Sequence, residues 1–189
     1  VHCPYCELRS FVRGERGLLR YQVPQRVGRE QALAALGKFL TSNMAIAAAA
    51  RQARVSEAFL IYLPFWTVWA RVGGWVFGEK RVGSGDNARY EPREVRVVQD
   101  MTWNGAAADV GEFGVEQVPT LTQDLEPFNP TELHSRGMVF EPIGSFSEAS
   151  QIAEMAFEDQ VRRKANLDRA KQAFVRSVRR RNALVYHPL

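Results

Sequence analysis

Cys3 and Cys6 are the only cysteines in the chain, and Cys3-Pro4-Tyr5-Cys6 has the spacing of a zinc knuckle. Two thiolates so spaced can take neighbouring corners of a tetrahedral zinc. The ion needs four ligands, in ribbons supplied by a second cysteine pair about 15–20 residues away. No second pair follows in this chain. His2 adds at most a weak ligand, and His134 and His187 are distant in sequence. The pattern therefore reads as the second half of a zinc ribbon whose first knuckle precedes Val1, and Zn2+ is expected only where that upstream pair is present. A redox pair and a vestigial site remain alternatives. A thioredoxin-type pair opens a helix after a buried strand, whereas here charged residues, Gly14 and Gly17 follow, as suits a ribbon turn.

Other residues that could do chemistry do not assemble into a known pattern. The sequence holds no phosphate loop, nucleophile elbow or zinc-protease helix. His134 lies near Glu132, a spacing that suits a surface pair better than a catalytic base. Gly83-Ser84-Gly85-Asp86 is expected to be a turn, because no helix opens after it to cradle a phosphate. No enzyme activity and no small-molecule substrate are inferred.

Binding chemistry is better represented. Phe59, Tyr62, Phe65, Trp66, Trp69, Trp75 and Phe77 crowd one stretch, and Arg176, Arg179, Arg180 and Arg181 crowd another. Trp66, Trp69, Trp75 and the four arginines are candidate partner-binding residues. Aromatics in a strand are first of all core formers, but so many in one hairpin are hard to bury together, and an exposed subset would mark a protein or membrane surface. The arginines fit the C-terminal end of a helix, where the dipole favours cations, or a contact with an acidic partner such as phosphate or anionic lipid. Formal net charge is only +4, from 25 Lys+Arg against 21 Asp+Glu. In the linear sequence the aromatics do not interleave with the basic residues as on a single-strand platform.

With 189 residues, 46% of them hydrophobic and 24% charged, the chain has the size and composition of one ordinary domain or two small ones. The cysteine count gives no disulfide framework and suits a reducing compartment. The most apolar stretch, Ala58 to Ala70, contains Pro64 and is shorter than the roughly 20 residues of a spanning helix. No signal peptide is visible in the polar first residues.

The elements that would position these groups are read as follows. Residues 1–17 are a partial ribbon. Residues 18–123 form an α+β domain with a strand near Leu18–Val23, a helix over Arg29–Leu40 with Gly28 as its N-cap, an alanine-rich helix over Met44–Ala53, and an aromatic hairpin. The hairpin strands are expected at 58–72 and 74–82, with Gly73-Gly74 as turn or bulge and Pro64 as a bend or edge. Glu94–Trp103 alternates and should pair with them, and Trp103-Asn104-Gly105 reads as a turn. Residues 124–146, with Pro127, Pro130 and Pro142, read as a rigid connector. Ser145 and Glu148 have capping-box spacing. Because 148–180 contains neither Pro nor Gly, a long helix over 147–182 is expected, about 50 Å in length, with an apolar stripe of Ile152, Ala156, Phe157, Val161, Leu167, Ala170, Phe174 and Val178. The last run, 183–189, opens a second strand unit, since Val185-Tyr186-His187-Pro188-Leu189 echoes Ile61-Tyr62-Leu63-Pro64-Phe65. The chain thus reads as interrupted at both ends.

In their order along nearly the whole chain, Cys3-Pro4-Tyr5-Cys6, Tyr21-Gln22-Val23-Pro24, Glu30-Gln31-Ala32, Lys38-Phe39-Leu40, Tyr62-Leu63-Pro64-Phe65-Trp66, Asp124-Leu125-Glu126-Pro127-Phe128 and the closing Val185-Tyr186-His187-Pro188-Leu189 resemble bacterial membrane-associated proteins with a TFIIB-type zinc ribbon, loosely labelled helicase- or primosome-like. The resemblance implies a ribbon whose first knuckle lies upstream, a second Pro-aromatic strand unit, and membrane segments further on. It also implies a non-enzymatic adaptor or scaffold at the cytoplasmic face of a membrane, held in a protein assembly or oligomer. A membrane-surface contact fits the same reading. Nucleic-acid binding through the ribbon and the basic stretches is the alternative.

Overall fold

The structure, a computed structural model, describes residues 18–42, 50, 52–111 and 113–189. Cys3 and Cys6 and most of the alanine-rich segment fall outside those residues. In chain order the elements are β1 (Leu19–Gln22), α1 (Arg29–Ser42), β2 (Ile61–Val82), β3 (Arg89–Ala106), β4 (Glu126–Pro127), α2 (Pro130–Arg136), β5 (Met138–Val139), α3 (Phe146–Ala165) and β6 (Arg169–Pro188). The strands form one sheet in the order β3-β2-β6-β1-β4, with β5 beside the start of β2. The sheet curls into a half-barrel, and α3 packs on one of its faces.

The length of β2 follows from what covers it. Its first half is apolar on both faces because both are buried. Tyr62, Trp66 and Leu184 pack with Leu133 of α2 and Ala149 of α3, while Ile61, Leu63 and Phe65 lie under Val110, Phe113, Val115 and Val118. From Trp69 onward only one face is covered, and the burial alternates with period two. Val68, Ala70, Val72 and Val76 meet Ala153, Phe157, Val161 and Ala165 of the helix.

Pro64 sits inside this central strand for a reason the register makes plain. Ile61 and Leu189 exchange both backbone hydrogen bonds, at 3.0 and 2.9 Å. The alternation of an antiparallel ladder then makes Tyr62↔Pro188 and Pro64↔Tyr186 non-hydrogen-bonded pairs, where β6 and β2 ask no N–H of each other. The two echoed segments thus pair with one another, tyrosine against proline on either side of Leu63↔His187.

Several expectations require correction. The molecule is mostly strand with short helices, not an α+β domain followed by a long C-terminal helix, and the partial ribbon expected over 1–17 lies outside the described residues. Among the described residues no group of three or more His, Cys, Asp or Glu could hold a metal ion. The expected helix over 147–182 stops at Ala165, where Asn166 takes a left-handed cap (φ 49°), and residues 169–188 form β6. Its buried stripe is Ala149, Ala153, Phe157, Val161 and Ala165, so Ile152 is exposed and Phe174 and Val178 are strand residues. The strands expected at 58–72 and 74–82 are one continuous strand, and Trp103-Asn104-Gly105 lies within β3 rather than in a turn. The segment 124–146 holds β4, α2 and β5 and packs on the core through Leu133. The capping box is present, with Ser145 Oγ accepting from the Glu148 amide at 3.3 Å and Glu148 Oε2 accepting from the Ser145 amide at 3.1 Å. The Ser145 amide, donating to it, holds the Glu148 carboxyl below its ordinary value. Gly28 precedes α1, and its amide donates to Gln31 Oε1.

Candidate docking face of the sheet

The face of β3-β2-β6 opposite α3 is open beyond Trp69. Register assigns its rows. Thr102, Trp69 and Arg181 lie side by side, followed by Asp100, Arg71 and Val178, then Val98, Gly73 and Arg176, then Arg96, Trp75 and Phe174, then Glu94, Phe77 and Gln172. Aromatic and cationic side chains that are far apart in sequence therefore alternate across the sheet. Trp75 is 44% exposed, Phe77 37% and Phe174 56%, and Val98 and Val178 are exposed beside them.

Two irregularities of β6 set this composition. Between the pairs Trp69↔Arg181 and Arg71↔Val178 the strand carries an extra residue, and Arg179 there has φ 51°. An extra residue reverses the alternation. Arg181 accordingly joins the open face, while Arg180 turns to the helix side, donating to Glu154 Oε1 at 2.7 Å and to the Ser150 carbonyl at 3.3 Å. A second shift follows Gln172 and leaves Lys171 extra. The Lys171 ammonium bonds Glu79, with Arg169 3.6 Å away, and the lysine hydrogen bond above all holds the Glu79 carboxyl below its ordinary value.

Among the described residues of this face, unpaired cations outnumber unpaired carboxylates, Arg96, Arg176 and Arg181 against Glu94. Arg71 pairs with Asp100 at 3.0 Å. The Arg96 guanidinium lies 5.3 Å from the Trp75 ring centre. Among the described residues Arg96, Arg176 and Arg181 have no carboxylate partner. Phe77 and Phe174 meet edge to face, with centroids 6.1 Å apart.

The sequence candidates are thus divided. Trp75, Arg176 and Arg181 stand on the open face, and half-buried Trp69 lies at its closed end. Trp66 is on the opposite face, 7% exposed and edge-on to Phe146, so it is core. Arg180 is tied to α3, and Arg179 occupies the bulge. Phe174, Phe77, Gly73, Arg71 and Arg96 were not among the partner-binding candidates, and residues 173–178 show no apolar–polar alternation that would have placed them on one face of a strand.

His134 lies exposed on α2. His187 lies between Phe65, edge-on at 5.4 Å, and Thr120, whose hydroxyl is 3.1 Å from Nε2. Burial pushes its imidazole down to about 4. A separate groove lies between the start of α1 and the end of β6, lined by Pro24, Arg26, Ala32, Phe59 and Leu189. Among the described residues no helix is long and apolar enough to cross a membrane. Comparison with known proteins gave no matching family model, no matching curated protein and no matching solved structure.

Proposed function

We propose that the chain is a non-enzymatic adaptor that docks a macromolecular partner on the open face of β3-β2-β6 and is held by it in an assembly. The supporting observation is the exposure of Trp75, Phe77 and Phe174 on one sheet face together with Arg96, Arg176 and Arg181, which have no carboxylate partner among the described residues. Trp and Arg dominate the energetics of interfaces because they combine large desolvated area with directional contacts, and a contiguous apolar patch of this kind marks an interaction surface. A place at the cytoplasmic face of a bacterial membrane rests on the family resemblance alone.

The test puts charge on the face without touching the core. Trp75→Glu with Phe174→Glu should leave thermal melting within a few degrees of the wild type. In native-size separation of cell extract, the wild-type chain should run well above its own mass and the double variant at its own mass. A wild-type chain that runs at its own mass overturns the reading.

A further inference from the structure

Gly73 lies in the middle of β2, on the open face, with Val98 and Arg176 opposite it on the flanking strands and Arg71 and Trp75 on either side along its own. A glycine inside a strand lowers stability, since it orders a flexible backbone and packs no side chain. The chain's own structure gives reasons for its neighbours. A Cβ at Gly74 would stand 2.8 Å from Val161 Cγ1, and one at Gly78 would stand 2.2 Å from the Arg169 carbonyl oxygen. At Gly73 a Cβ meets nothing within 4 Å, and its φ is not positive. The absent side chain leaves a gap in the open face, a notch whose neighbours by register are Trp75, Val98, Arg71 and Arg176.

We propose that this notch seats a base of a single-stranded nucleic acid, stacked against Trp75, with the phosphates along Arg176 and Arg181. The inference rests on the reading of the open face as a docking surface and names what docks there. Charge complementarity gives the sign of the partner, because among the described residues Arg96, Arg176 and Arg181 lack carboxylate partners and outnumber the unpaired Glu94 of the same rows. The sequence isoelectric point of about 9.3 agrees. The exposed rings give the second half of the chemistry. Trp75, Phe77 and Phe174 offer π-faces on adjacent strands, the arrangement on which splayed bases stack. An acidic peptide would use the arginines but has no call on the rings or on a flat notch. Side chains for reading base edges are sparse here, with Gln172 and Thr102 at the margins, so the binding is tolerant of sequence.

The experiment is a titration of the full chain with a fluorescent oligothymidylate, an abasic oligomer of equal length and charge, a polyglutamate peptide, and phosphatidylglycerol vesicles. The oligothymidylate should quench tryptophan emission and bind at least tenfold more tightly than the abasic oligomer. Its log affinity should fall against log salt with a slope of about −1.4, for Arg176 and Arg181 each neutralising a phosphate. Gly73→Val fills the notch with a residue suited to strands. It should raise the melting temperature by about 1–3 °C and weaken oligothymidylate at least tenfold. Equal binding of the abasic oligomer, unchanged binding by Gly73→Val, or a lowered melting temperature of that variant would each overturn the proposal. So would binding of vesicles or peptide without binding of the oligomer. If the oligomer fails to bind while Trp75→Glu with Phe174→Glu still releases the chain from its native assembly, the nucleic-acid inference falls and the docking reading stands.

Discussion

At Gly78 the carbonyl oxygen of Arg169 occupies the space a side chain would need, because the extra Lys171 draws β6 close to β2 just there. The Glu79 contacts with Lys171 and Arg169 lie beside this close approach. Gly78→Ala should therefore destabilise by about 3 kcal/mol, whereas Gly73→Ala should stabilise by roughly 0.5–1 kcal/mol. Chemical denaturation of the two variants checks the contrast, and similar costs at both sites would refute the account of Gly73. Trp66 extends the contrast to the aromatics. It is enclosed by the helix layer, so Trp66→Ala should cost about 3–5 kcal/mol, while alanine at exposed Trp75 should cost less than about 1 kcal/mol. Periodicity in the sequence could count these tryptophans but could not assign their faces. Trp66 and Trp69 are an odd number of residues apart, which in a strand puts them on opposite faces. That was legible. Which face α3 would cover was not, because it depends on a helix some eighty residues later in the chain.

At the scale of the element, α3 and β6 show what local signals decide. The capping box at Ser145 and Glu148 was legible because both halves of it are local, and Ser145→Ala should lower stability by about 1 kcal/mol. The end of the helix was not legible from Pro and Gly, since neither occurs there. Asn166 ends it instead, being one of the few residue types that tolerate the left-handed region, and the β-branched Val175, Val178 and Val185 favour the strand that follows. The bulge at Arg179 has no comparable signal. A non-glycine residue at φ 51° is strained by about 1–2 kcal/mol, and Arg179→Gly should raise stability by up to about 1 kcal/mol. If that variant instead loses stability, the arginine side chain contributes more than its backbone strain removes. The open face itself was half legible. Its residues could be named in part as Trp75, Arg176 and Arg181, but their meeting requires the β2–β6 register, which pairs residues roughly a hundred positions apart in sequence.

Across the whole molecule, cover falls off along the length of β2, and stability should fall with it. Near Leu63 and His187 the sheet is buried on both faces and β6 has a strand on each side. Burial keeps His187 neutral in the folded state, with a pKa of about 4 against an ordinary 6.5, so the unfolded chain binds its proton first. The resulting stability is complete above pH 6.5 and is lost as pH falls toward 4, by roughly 3 kcal/mol at pH 4. In His187→Gln the difference in stability between pH 7 and pH 4 should shrink by about that amount. At the other end, residues 78–93 extend past the last packed turn of α3 and are tied down chiefly by polar contacts. Asp168 Oδ2 accepts from the Arg81 amide at 2.7 Å, and Lys80 Nζ donates to the Asn166 carbonyl at 2.7 Å. Elements with few buried apolar contacts open by local fluctuation well below the global unfolding energy. Amide exchange at Lys80–Arg93 should accordingly be fast, and exchange at Leu63, Val68 and Val185 should require global unfolding. Asp168→Ala should speed exchange at the tip about tenfold, the equivalent of one charge-assisted hydrogen bond, and leave Leu63 and Val185 unchanged. Equal acceleration at both ends would mean that the sheet opens as one cooperative unit. The open face would then be held by the core rather than free to adjust to what it binds.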